Sequence, residues 1–152
     1  MARAEPIDPS LSIDSVQLAV SDLDRSAEFY ERVLGLPLIA HKDDRALLGV
    51  DPARPALELL AIADPTPNPP HSTGLFHVAW LHPSRGALAA SARRVVAQRW
   101  RFDGASDHGV SEALYLTDPD GLGIELYADR PREQWERPGD GRGVRMVTLP
   151  LD

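Results

Sequence analysis

The order of elements occurs twice in this chain, and that duplication limits its fold more than any other feature. SVQLAV (Ser15 to Val20) reads as a strand. SDLDRSAEFYERVLGL follows, with Ser21 or Asp22 as N-cap, Leu23, Ala27, Tyr30 and Leu34 at helical spacing, and Gly35 as the stop. PLIAH and RALLGV predict two strands around the turn KDD, and ALELLAI (Ala56 to Ile62) predicts a third. The order then begins again. LFHVAWL predicts a strand, PSRGALAASARRVVAQRW a helix with Pro83 and Ser84 at its start, and RFDG a short strand. EALYLTD and GIELYAD predict the last two strands, joined by the turn DPDG, in which Pro119 fixes φ and Gly121 permits a positive φ. The first strands match between halves, and ALEL around Glu58 is answered by GIEL around Glu125. Neither half can bury its sheet alone, so two must pair to make a core. The expected fold is α+β: two βαβββ repeats forming a curved, eight-stranded mixed sheet or cup, with helices outside and a pocket on the inner face.

This reading divides the chain into an N-terminal arm (1–12), repeats at 13–62 and 75–130, a connector at 63–74, and a tail at 131–152. The connector, ADPTPNPPHSTG, is too rich in proline for a helix or a central strand. In the tail, PREQWERPGDGRG reads as surface, while VRMVTLPLD adds an edge strand or packs back as a strap.

A chain of 152 residues, 43% hydrophobic, suffices for one well-buried domain. Its net charge of -7 argues against a nucleic-acid partner. The absence of cysteine removes disulfides, thiolate metal sites and cysteine nucleophiles. No apolar run reaches signal or membrane-span length, so the expectation is a soluble, cytoplasmic protein with no membrane partner. P-loop, dinucleotide and nucleophile-elbow motifs are absent.

The strand pattern turns Tyr115 and Glu125 inward, into the core, where a carboxylate has to be paired, protonated or bound to metal. Glu58, His77 and Glu125 occupy related places in the repeat. If they converge, one imidazole and two carboxylates suit a divalent first-row metal such as Mn, Fe, Co, Ni or Zn. The alternative is that each glutamate faces outward and that His77 is a hydrogen-bonded core histidine. His108, in the loop SDHGVS, is either a general acid or base near a pocket or a solvated loop residue. Tyr115 either bonds a bound oxygen or fills core with its hydroxyl satisfied. His41, His71 and His82 read as surface residues.

VQLAVSDLDRSAEFYERVLGL, GLFHVAW and DPDGLGIELYADRP together resemble the vicinal oxygen chelate superfamily of glyoxalase I, bleomycin and fosfomycin resistance proteins and extradiol dioxygenases. GLFHVAWLHPSRGAL and ASDHGVSEALYLTDPDGLGIELYADRPREQW are similar, more narrowly, to the N-terminal half of catechol 2,3-dioxygenase-like proteins. The resemblance implies a metal held by His77 and Glu125, with Glu58 as the additional glutamate of glyoxalase I-like members. Its first ligand position falls on Ser15, a departure from histidine. It also implies Fe(II) or Mn(II) as the cofactor, with Ni, Zn or Co open, and a small aromatic or vicinal-dioxygen substrate. His108 and Tyr115 then take the proton-handling roles of a dioxygenase. A metal-free binding protein and a half-domain completed by a partner are the other readings that it leaves open, and a homodimer is expected.

Overall fold

In the computed structural model, residues 8, 10–63, 73–139 and 142–151 are described. Most of the arm and of the proline-rich connector, including His71, lies outside the described residues. The first repeat runs β1 (Val16–Val20), α1 (Leu23–Glu28), β2 (Leu38–Lys42), β3 (Arg45–Leu48) and β4 (Leu57–Ala61). The second runs β5 (His77–His82), α2 (Arg85–Ala97), β6 (Gly104–Asp107), β7 (Ser111–Thr117) and β8 (Gly123–Asp129). The tail adds a two-residue strand, β9 (Leu149–Pro150), on the edge of β6.

As the two-repeat α+β reading expects, each repeat forms a mixed sheet, in the orders β1-β4-β3-β2 and β5-β8-β7-β6-β9, the second extended by the tail strand. In each sheet the strand before the helix pairs in parallel with the last strand of its repeat, and the remaining pairs are antiparallel. β1 and β5 are both edge strands, so the two sheets share no ladder among the described residues.

Local chemistry explains most element boundaries. Asp22, the N-cap of α1, accepts from the Arg25 N–H, and Ser84 does the same for α2 through the Ala87 N–H. The first helix then widens into a π-helical turn over Phe29–Leu34, which buries Phe29, Tyr30, Val33 and Leu34. Gly35 ends it at φ 81°, a conformation an L side chain adopts only at a cost. β6 starts at Gly104, the last residue of the RFDG segment that sequence favours. Phe102 packs against the core instead, and Asp103 only leads into the ladder.

One apolar core lies between the sheets and the helices. Val20, Leu57, Leu59, Leu48, Ile124, Leu126 and Leu116 contribute from the strands, and Leu23, Tyr30, Leu88 and Val95 from the helices. The repeats are joined through this core. Phe29 meets Trp100 at 4.7 Å between ring centres, and Arg94 donates to the Leu34 carbonyl at 2.8 Å. At the DPDG turn, the buried Asp118 accepts from the Tyr30 hydroxyl at 2.9 Å and from the N–H groups of Asp120 and Leu122. Asp120 in turn binds Ser21 and Arg25 of the first repeat.

Candidate functional site

Strand alternation fixes which residues can meet. Along β8, Ile124, Leu126 and Ala128 are buried in the core, so Gly123, Glu125 and Tyr127 face the other side of the sheet. Glu125 is therefore not in the core, as its strand pattern had implied. It lies part-buried on the opposite face of the sheet, where His77 and Tyr115 meet its carboxylate and offset the cost of burying it. Register does the rest: Tyr115 lies directly opposite Glu125 on β7, and His77 lies opposite Gly123 on β5. Gly123 has no side chain, so the His77 ring can reach over it toward Glu125.

The result is a continuous chain of four side chains. His77 Nε2 is 3.1 Å from Glu125 Oε2, and the Tyr115 hydroxyl lies within donating distance of Glu125 Oε1 at 3.2 Å. The same hydroxyl oxygen is 2.8 Å from His108 Nε2. His108 Nδ1 is 3.0 Å from the Val147 carbonyl in the tail, and the Val147 N–H donates to the His108 carbonyl at 3.2 Å. Glu125 has a side-chain exposure of only 15%. Burial, and then the Glu125 carboxylate beside it, raise the Tyr115 phenol above its ordinary pKa, so it remains protonated near neutrality.

His77, His108 and Tyr115 line a cavity of about 760 Å³, closed elsewhere by Leu75, Phe76, Ser106, Thr117 and Thr148. That size suits a small organic molecule. Glu125 braces the wall from behind, through its contacts with His77 and Tyr115. Phe76 is 85% exposed and stands edge-on to His77 at 5.2 Å, which gives the pocket mouth an aromatic lip.

Other sequence candidates fall elsewhere. Glu58 lies on the other sheet, where it accepts from Gln17 at 2.6 Å and pairs with Arg45 at 2.8 Å. Gln17 is its neighbour in the parallel ladder, so this carboxylate is used within its own repeat. Ser15 is exposed just ahead of β1. His41 pairs with Asp24 at the surface. His82 is no surface residue: it is half-buried, with its two ring nitrogens near the Trp80 carbonyl and the Ser91 hydroxyl.

The donor set falls short of what a divalent metal needs. His77 and Glu125 are two suitable ligands side by side, but open catalytic sites use three protein ligands. Among the described residues, no group of three or more His, Cys, Asp or Glu is placed to hold an ion. The described residues of this chain therefore do not by themselves complete a metal site.

The family model of the Glyoxalase/Bleomycin resistance protein/Dioxygenase superfamily matches residues 12–126. The chain belongs to that superfamily. Within it, the chain is 41% identical over 141 residues to a catechol-2,3-dioxygenase of Bacillus subtilis (strain 168). That match takes in 92% of this chain and 49% of the relative, so the chain spans about half the length of the curated relative it matches. Solved structures share the superfamily fold at low identity. A glyoxylase/bleomycin resistance protein/dioxygenase domain from Frankia sp. EAN1pec has TM-score 0.65 at 23% identity, covering 80% of this chain and 100% of that one. A lactoylglutathione lyase from Agrobacterium tumefaciens has TM-score 0.61 at 21% identity, covering 80% and 96%. These two likenesses speak to fold alone. No helix among the described residues is long and apolar enough to cross a membrane.

Sequence reasoning missed two features of this candidate site. Phe76 carries no motif beyond its place beside His77. The Val147 contribution is a backbone carbonyl, for which no residue letter can be a signal.

Proposed function

We propose that this superfamily member binds a small aromatic compound with adjacent oxygens, a catechol-like diol, and accepts a proton from it at the His108–Tyr115 end of the pocket. The observation that carries the reading is the unbroken His77–Glu125–Tyr115–His108 chain along one wall of an aromatic-lipped cavity. The likeness to a catechol-2,3-dioxygenase supports the ligand class. Tyr115, neutral and held between His108 and Glu125, hydrogen-bonds a ligand oxygen. His108 stands next along the chain as acceptor. Glu125 holds the Tyr115 and His77 side chains in place. Ring cleavage by a dioxygenase would require Fe(II) or Mn(II) with donors beyond His77 and Glu125, whereas the proton transfer needs only the chain's own groups.

Absorbance titration with 4-nitrocatechol, a diol whose ionised form is coloured, tests the binding. The wild-type chain should bind it, and Tyr115→Phe should weaken binding about tenfold, the equivalent of one hydrogen bond. No binding by the wild type, with or without saturating Fe(II) or Mn(II), overturns the proposal. A second reading, a binding protein without turnover, is favoured by Ser15 and by the lack of a third ligand among the described residues. Oxygen uptake with catechol in the presence of Fe(II), lost in His77→Ala, would decide for the dioxygenase. Tight binding with no uptake would decide for the binding protein.

A further inference from the structure

We infer that the tail segment crossing the pocket edge is a positioning element that fixes which nitrogen of His108 carries its proton. The inference rests on the proton-accepting role proposed above for His108. A backbone carbonyl can only accept a hydrogen bond. The Val147 carbonyl, 3.0 Å from His108 Nδ1, therefore requires a proton on Nδ1. The reciprocal bond from the Val147 N–H to the His108 carbonyl locks the two residues face to face. Rotating the ring by half a turn would set carbons against both Val147 and Tyr115, so the two contacts together also fix the ring's orientation.

The strap is seated on this spot by more than one contact. Leu149 pairs with Asp107 in the β6–β9 ladder. Gly109 has φ +75°, and a Cβ there would lie in ordinary contact with a Val147 methyl at 3.4 Å, so the strap passes directly over this loop. Thr148 reaches the pocket lining itself.

With the proton held on Nδ1, a neutral His108 presents the Nε2 lone pair to Tyr115 at 2.8 Å, and the Tyr115 O–H points to it. Glu125 Oε1, 3.2 Å from the same hydroxyl, is the longer of its two acceptor contacts. When His108 takes up one proton at Nε2, the direction reverses: Nε2–H donates to the Tyr115 oxygen, and the Tyr115 O–H turns to Glu125. In a bound diol, one ligand O–H bond breaks as its proton passes to the Tyr115 oxygen and the Tyr115 proton passes to Nε2. The ligand is left as the monoanion and His108 as the imidazolium, with charge conserved. The opposite tautomer, with its proton already on Nε2, could not accept there. A third group that sets a histidine's tautomer is a recurring device in proton-transfer sites.

Nitrogen-15 NMR of the imidazole rings, recorded with neutral histidines, tests this directly. The full chain should show His108 protonated on Nδ1. A chain shortened to end at Met146 should lose that tautomer and bind 4-nitrocatechol as its monoanion about tenfold less well. A chain ending at Thr148, which keeps the Val147 carbonyl but loses the β9 pairing, should retain the Nδ1 proton. An Nε2–H tautomer in the full chain overturns the inference, whether or not the shortened chains fold. So does an unchanged tautomer in a folded chain ending at Met146. If the full chain holds Nδ1–H and loses it on shortening yet binds no 4-nitrocatechol, the ligand assignment fails while the strap's role stands.

Discussion

Tyr30→Phe removes a single oxygen, and the structure allows its cost to be worked out. Tyr30 is fully buried, and Asp118 is 5% exposed, so water cannot readily replace the 2.9 Å bond between them. The Oδ1 atom of Asp118 keeps its two backbone donors, so only the Oδ2 bond is lost. A hydrogen bond to a buried carboxylate contributes about 1.5–3 kcal/mol. An expected loss of about 2 kcal/mol would lower Tm by roughly 4–8 °C for a chain of this size. In urea, with a slope of about 1–3 kcal/mol/M, the midpoint should fall by on the order of 1 M. The pH dependence gives an independent check. Burial, and then the Asp118 charge, raise the Tyr30 phenol far above its ordinary pKa, so it stays neutral in the folded chain. Unfolded tyrosine ionises near pH 10, so the stability due to this shift is complete below that value. It is lost as pH rises above it, at up to about 1.4 kcal/mol per pH unit. The gap between wild type and Tyr30→Phe should therefore narrow above about pH 10. A variant within about 0.5 kcal/mol of wild type at pH 7 would refute the claim that this bond ties the repeats together.

Two further substitutions test the site's construction. Gly123→Ala places a Cβ 2.8 Å from the Phe76 carbonyl and 3.0 Å from the His77 Cβ, forcing β5 away from β8. It should cost about 1–3 kcal/mol in urea unfolding and weaken 4-nitrocatechol binding, although the residue contributes no polar group. Glu58→Gln should leave that binding unchanged and cost under about 1 kcal/mol, because Arg45, its partner, is half exposed. A Glu58→Gln chain that no longer bound the diol would return Glu58 to the site.

The helix caps, the DPDG turn and the duplicated element order were legible because each depends on residues close in sequence. Asp22, Ser84 and Gly35 act where their letters predict. Glu58 and Glu125 show where legibility stops. Both sit in nearly the same four-residue word, yet Arg45 and Gln17 claim one while His77 and Tyr115 meet the other. Those neighbours come from strand register, which no local pattern encodes. The same holds for His82, whose place at the end of β5 is decided by Ser91 on α2. The start of β6 was misread because GASD has no apolar alternation, whereas Phe102 does look like strand but serves the core.

His77, His108, Tyr115 and Glu125 all belong to the second repeat, while the Tyr30, Ser21 and Arg25 contacts that hold its DPDG turn belong to the first. Under the proposed function the duplication becomes a division of labour, with one copy as instrument and the other as mount. Drift should treat the copies unequally. The Glu58, Gln17 and Arg45 cluster of the first sheet can change its letters so long as its partners change together, whereas a single methyl at Gly123 enters the pocket lining itself and a lost hydroxyl at Tyr30 loosens the turn that leads into it.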